Sequence, residues 1–337
     1  MNDDPVLQIK NLLKHFPIPR GPLAALRQQP ARHVHAVDDI SFEVHPGEIV
    51  ALVGESGCGK TTTAKLLMGL EQPSGGTIHF RGQDVAALDL KQMRRQIQMV
   101  FQDPYESLNP RMTVFEIVAE PLEVHGLARR REEKIERVQR ALEAAGLKPA
   151  ESYLNRLPHE LSGGQRQRVV IAGALVLEPQ VLVADEPVSM LDMSIRAEIL
   201  NLLWDLRELR GISIVFITHD LGTAAYFTDR IAVMYLGRIV EIGPTREVLK
   251  NPQHPYTRAL LSVVPVPNPR LRRERIILQG ETPNPIDLPS GCRFHPRCPV
   301  AIDKCKEIDP PYVEVTSGHQ AACLLSRLPK VLSQTYN

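Results

Sequence analysis

The sequence predicts an α/β fold built around a parallel sheet, on three observations. Buried-strand candidates at Val181–Ala184 and Ile212–Ile217 flank a helical stretch, Ser194–Leu209, the alternation expected of parallel strands joined by crossover helices. A strand at Ile49–Val53 runs into a glycine-rich turn and then a helix from about Thr61 to Gly69, with apolar spacing at Ala64, Leu67 and Met68. Short alternating apolar patterns at 5–16 and 36–50, the second containing a Pro46-Gly47 turn, predict antiparallel strands and a hairpin.

Between those two patterns, the proline- and arginine-containing stretch 17–35 reads as an inserted loop, and 129–146 is a charged helical pattern ending at Gly146. Past residue 244 prolines multiply and regular periods fade, which places a boundary near 250: a main domain at 1–250 and an extension at 251–337. A length of 337 residues suits one large domain plus a smaller unit, and 43% hydrophobic with 23% charged residues is ordinary globular usage. A net charge of +1 and 5% aromatic residues advertise no nucleic-acid surface. No apolar run approaches the roughly 20 residues of a membrane span, and the start MNDDPV lacks the basic and apolar regions of a secretory signal. A cytoplasmic chain is expected, in which thiols stay reduced or bind metal.

Gly54-Glu55-Ser56-Gly57-Cys58-Gly59-Lys60-Thr61 fits GxxxxGK[ST] between a strand and a helix, the context that a phosphate-binding loop requires. Its glycines let main-chain N–H groups wrap an anion at a helix N-terminus; Lys60 adds a point charge, the Thr61 hydroxyl suits Mg²⁺, and Thr62 suits the α-phosphate. Cys58, inside this loop, reads as a space-filler beside a glycine turn. Val181–Glu186 delivers two carboxylates at a strand's carboxyl end, where open α/β sheets bind ligands. Asp185 suits Mg²⁺ through water, and Glu186 suits a general base; alone, such a pair is often only a helix N-terminus. His219 follows the strand ending at Thr218 and suits contact with a γ-phosphate or an attacking water.

Leu161-Ser162-Gly163-Gly164-Gln165 decides the class. With it the chain resembles the ATP-binding cassette (ABC) ATPases, whose signature is LSGGQ, and the order of phosphate loop, glutamine loop, signature, acidic pair and histidine is that of the family. The resemblance implies a RecA-like core, an antiparallel β subdomain and a helical signature subdomain at about 103–175. It implies that Ser162, Gly163, Gly164 and Gln165 read ATP held by another subunit's phosphate loop. It further implies that Gln102 reaches Mg²⁺ and the attacking water while its loop contacts the membrane partner, and that Asp192 communicates between the two ATP sites. Phe16 is the aromatic expected to stack on adenine, with a core phenylalanine as the alternative. Lys60, Glu186, Gln102 and His219 form the expected catalytic set.

FQDPYESLNPRMTV and HPYTRALLSVVP resemble the dipeptide and oligopeptide branch of ABC importers, as does the C-terminal cysteine pattern. The implied protein is one ATPase of a heterodimer, bound at the cytoplasmic face of the membrane to two permease subunits and fed by an external peptide-binding protein, with no nucleic-acid partner. A nickel chelate or other small solute is the alternative cargo, and a soluble ABC ATPase acting on nucleic acid or ribosomes is the alternative class. Cys292, Cys298, Cys305 and Cys323, separated by five, six and seventeen residues, offer four thiolates for a [4Fe-4S] cluster or tetrahedral zinc. The branch resemblance favours the iron-sulfur cluster, in a structural role, over zinc or free thiols.

Overall fold

A computed structural model describes residues 4–19, 32–264 and 274–327; most of the loop expected at 17–35 lies outside them. The strands are β1 (Leu7–Pro17), β2 (His33–Val44), β3 (Ile49–Val53), β4 (Gly75–Phe80), β5 (Gln83–Asp84), β6 (Ile97–Val100), β7 (Val181–Asp185), β8 (Ser213–Thr218), β9 (Arg230–Tyr235), β10 (Arg238–Pro244), β11 (Val313–Thr316) and β12 (His319–Ala321). They form a four-stranded antiparallel sheet in the order β2-β1-β4-β5 and an eight-stranded sheet in the order β11-β12-β10-β9-β3-β8-β7-β6. Within the larger sheet, β9, β3, β8, β7 and β6 are parallel, while β10, β12 and β11 add an antiparallel edge. Among the described residues no helix is long and apolar enough to cross a membrane.

The period-2 geometry of strands divides the interior in two. Ile49, Ala51 and Val53 of β3 join Leu182, Ala184, Ile214 and Phe216 in one core, whereas Val50, Leu52, Val181, Val183, Val215 and Ile217 join the other. Helices Val114–His125, Arg131–Ala144 and Gly163–Leu175 pack on one another and extend the first core through Val118, Leu122, Val138, Leu142 and Val169. The first of these helices opens with a capping box between Thr113 and Glu116 and stops at Gly126, whose φ of 66° terminates it. The second core contains the inward residues of the antiparallel sheet, among them Leu7, Ile9, Ile40 and Phe42.

One local reading is corrected. The Pro46-Gly47 turn does not close a hairpin: β2 pairs with β1 in the small sheet, and β3 pairs with β8 and β9 in the large one. All five residues of β3 are buried, so it needs cover on both faces, which a place at the centre of the parallel sheet supplies.

The C-terminal region is built into this body. β12 pairs with β10 (Glu241↔Ala321, Ile242↔Gln320), and Phe294 packs its ring 5.2 Å from Tyr235 and 5.4 Å from Tyr256. The fully buried Glu241 carboxylate accepts from the main-chain N–H of Gln253 (2.8 Å) and of His254 (2.9 Å), and lies 2.7 Å from Nε2 of the equally buried His319. Burial also holds His254 down at about 4, against an ordinary value of 6.5.

Replacing Glu241 with Ala strands these three partners, two of them fully buried, and thermal unfolding should reveal a loss of about 3–5 kcal/mol. The depressed His254 means that the folded chain binds fewer protons there than the unfolded chain. Its contribution is complete above about 6.5 and is lost as pH falls toward about 4. Calorimetric melting at stepped pH across that interval should show stability declining, and a His254→Gln variant should flatten the decline.

Candidate active site

The phosphate loop leaves the buried end of β3 under tight backbone constraint. A Cβ at Gly54 would sit 2.2 Å from the Met234 carbonyl oxygen, and one at Gly59, where φ is 107°, would sit 2.2 Å from that of Ala36; only glycine fits either place. The helix Lys60–Leu67 has no side chain capping its N-terminus, which leaves first-turn N–H groups for an anion. Lys60 is 5% exposed, and its Nζ donates to the carbonyls of Gly54 (2.7 Å) and Glu55 (2.9 Å). The cation is thereby held inside the curve of the loop. Cys58 packs with the second core while its Sγ lies 3.8 Å from Lys60 Nζ, and burial pushes its thiol up.

Three neighbouring parallel strands deliver the remaining groups. β7 ends at Asp185, a 3% exposed carboxylate raised by burial and opposed in this by a hydrogen bond from Thr61. Its Oδ1 is buried without a protein partner. An orphaned carboxylate oxygen beside the Thr61 hydroxyl is a hard-oxygen donor set that fits Mg²⁺. Glu186 follows in the left-handed region, φ 47°, with its N–H donating to the Ile217 carbonyl on β8. That backbone turn aims the side chain out of the sheet. Its Oε2 lies 3.0 Å from Nδ1 of His219, which follows β8, and accepts from Nε2 of Gln102, which follows β6, at 3.3 Å.

A cleft of about 310 Å³ joins these parts. Ser56, Gly57, Gly59, Lys60, Thr61 and Thr62 line it with Glu186, facing Phe16, Val34 and Ala36 from the antiparallel sheet. Phe16 is half-buried, outside both cores, with Lys14 Nζ 4.7 Å from its ring centroid. Sequence reasoning missed Pro285, which lines the same cleft, and missed Tyr256, Thr282 and Arg297, which hold Glu55. No local pattern ties them to the loop, because the chain brings them there from more than 200 positions away.

The signature residues lie outside that cleft. Ser162 caps the helix Gly163–Leu175: its Oγ accepts from the Gln165 N–H (3.3 Å), and its own N–H donates to Gln165 Oε1 (3.0 Å). A Cβ at Gly164 would meet Ile195 at 2.5 Å, so glycine allows the turn to sit against the helix Met193–Arg210. Asp192 precedes that helix, exposed and with its side chain free of any capping bond.

The cysteine expectation is corrected. Cys292, Cys298, Cys305 and Cys323 form no disulfide, and among the described residues their sulfurs do not make up a group of ligand atoms close enough to share one metal ion. The only trio of potential ligand atoms within 4.8 Å of one another among the described residues is His15, His35 and Asp38. There Asp38 is already ion-paired with Arg293. Neither an iron-sulfur cluster nor zinc is supported by this arrangement.

The model of the ABC transporter family matches residues 37–189, and that of the oligopeptide/dipeptide transporter C-terminal region matches 240–305. The oligopeptide transport ATP-binding protein AppF of Bacillus subtilis is 46% identical over 330 residues, covering 96% of this chain and 98% of that protein. Among solved structures, the ADP- and phosphate-bound dimer of the ATP-binding cassette MJ0796 has a TM-score of 0.61 at 31% identity, covering 71% of this chain and 99% of that one. The cbiO1 protein of Clostridium perfringens, part of the transporter complex cbiONQ, has a TM-score of 0.62 at 30% identity, covering 74% of this chain and 92% of that one. MJ0796 is a dimer of one cassette, and none of these comparisons names an unlike ATPase partner, so the expectation of a heterodimer does not stand. With both family matches in place and near-complete coverage of a close relative, the chain belongs to the ABC transporter family and carries the oligopeptide/dipeptide transporter C-terminal region.

Proposed function

We propose that this protein is the ATP-hydrolysing subunit that powers import of di- and oligopeptides, bound peripherally at the cytoplasmic face to membrane-spanning permease subunits that an external peptide-binding protein supplies. The observation that carries this reading is the shared cleft, in which Glu186, contacted by Gln102 and His219, faces Lys60 and Thr61. Residues 1–250 act as the motor, with the helical part at about 103–175, and 251–337 form the peptide-importer extension.

ATP enters with adenine against Phe16 and its phosphates over the N–H groups of the loop. Lys60 neutralises the β- and γ-phosphate oxygens, and Thr62 reaches the α-phosphate. Thr61, Asp185 and Gln102 would hold Mg²⁺, which when bound would supply further neutralisation of phosphate charge. Glu186 orients water for in-line attack and takes its proton as the bond between the γ-phosphorus and the bridging oxygen breaks, releasing ADP and phosphate. His219 steadies the Glu186 carboxylate and senses the γ-phosphate.

A second cassette completes each site. The Ser162–Gln165 turn is an anion-ready helix N-terminus lying outside its own chain's phosphate cleft. Placed over the γ-phosphate of a facing cassette, it binds the closed state better than the open one, which ties closure to nucleotide. Asp192, next to the turn, relays between the paired sites. Phe101 and Tyr105, 46% and 58% exposed on either side of Gln102, offer the apolar surface on which the permease docks.

A Glu186→Gln variant should retain ATP binding while phosphate release falls at least about a hundredfold; brisk turnover would overturn the general-base role. Lys60→Ala and Ser162→Arg proteins should each be nearly inactive alone, yet mixing them should restore hydrolysis, because one pairing unites an intact loop with an intact turn. A mixture as silent as its components would argue against shared sites. Phe101→Ser should leave ATP binding unchanged and weaken co-purification with the permease subunits.

A further inference from the structure

The phosphate loop is gripped from behind by the C-terminal region, and among the described residues the hydrogen bonds between them converge on Glu55, the loop's second residue. The Glu55 main-chain N–H donates to the Tyr256 hydroxyl at 2.9 Å. Its carboxylate Oε2 accepts from Thr282 Oγ1 (2.8 Å) and from Arg297 Nη1 (2.8 Å), and Oε1 accepts from Arg297 Nη2 at 3.2 Å. Arg297 Nη1 also reaches Thr282 Oγ1 at 3.2 Å. On the opposite side, the Glu55 carbonyl accepts from Lys60 Nζ. One residue thus has its N–H, its carbonyl and its carboxylate all engaged, the first and last by the C-terminal region and the second by the phosphate-binding lysine.

The grip is partly dry. The Arg297 side chain is 9% exposed, and its guanidinium lies 6.0 Å from the ring centroid of Tyr235. Tyr235 in turn packs among Tyr256 and Phe294. The fork of two N–H groups on two carboxylate oxygens fixes direction as well as charge. Burial alone would raise the Glu55 carboxyl; Arg297 and Thr282 outweigh it and hold the group below the ordinary range.

Such a brace matters because the loop contains Gly57 and Gly59 at positive φ, and permissive residues carry a large entropic cost of ordering. Ordering the loop before nucleotide arrives removes that cost from binding. We propose that Tyr256, Thr282 and Arg297 are positioning residues of the nucleotide site, so that the C-terminal region sets ATP affinity by pre-ordering the phosphate loop. The proposal rests on the ATP-hydrolysing reading above and assigns these residues no contact with the reacting atoms.

The test is direct binding of a fluorescent Mg²⁺-ATP analogue to the full chain, alongside KM and kcat from phosphate release. Arg297→Ala and Glu55→Gln should each weaken analogue binding about tenfold, with KM rising more than kcat falls. Arg297→Lys, which keeps the charge without the fork, should recover part of the loss. The double variant should be no weaker than the worse single one, since both changes break one interaction. Affinities within about twofold of the unaltered chain, or losses that multiply in the double variant, would overturn the proposal. Should Arg297→Ala lose its thermal transition, Glu55→Gln decides alone, because it leaves the packing of Arg297 on Tyr235 in place. An unaltered chain that binds no analogue would instead overturn the hydrolase reading itself.

Discussion

The parallel strands are covered on both faces, and that single constraint organises the rest of the molecule. A strand such as β3 or β8, with every residue buried, has no side on which to carry a functional polar group. Polar chemistry is therefore forced to the points where strands end. Gly54, Glu186 and His219 begin just past β3, β7 and β8, and Gln102 lies two residues past β6. Their convergence around Glu186 and the loop follows from parallel strands ending side by side, so sheet order decides which side chains meet.

Two backbone features refine that convergence. The narrow passage at Gly54 and Gly59, closed to any Cβ by the carbonyls of Met234 and Ala36, keeps the phosphate loop tight against the sheet. The left-handed conformation of Glu186 costs about 1–3 kcal/mol in a non-glycine residue. It turns the carboxylate out of the strand direction toward the cleft. The price is met by the surrounding sheet, including the hydrogen bond from Glu186 to β8. Strain of this kind sits where chemistry needs a group aimed rather than packed.

Local pattern made much of this legible. The phosphate loop, the acidic pair after β7 and the LSGGQ turn are short runs whose spacing states their geometry, and the helices at Lys60–Leu67 and Met193–Arg210 end within two residues of the expected bounds. What escaped is long-range. A Pro-Gly turn between two apolar runs says that the chain reverses, but not which sheet each strand joins; only the double-sided burial of Ile49–Val53 separates them. Arg297 and Glu55, 242 positions apart, carry no mutual signal. Four cysteines in one region state a chemical capacity, whereas the placement of their sulfurs in space depends on packing that spacing along the chain does not encode.

The last described strands bear on a different property. β10 would otherwise leave a row of main-chain donors and acceptors on one side, a template for pairing with other chains. β12 covers that row at Glu241 and Ile242, and the new margin, β11, is only four residues long and exposes Glu314. A short charged margin is a poor seed for foreign strands. The hairpin thus shields part of the β10 edge, and clipping the chain after residue 312 would lay that edge open to strands of other chains.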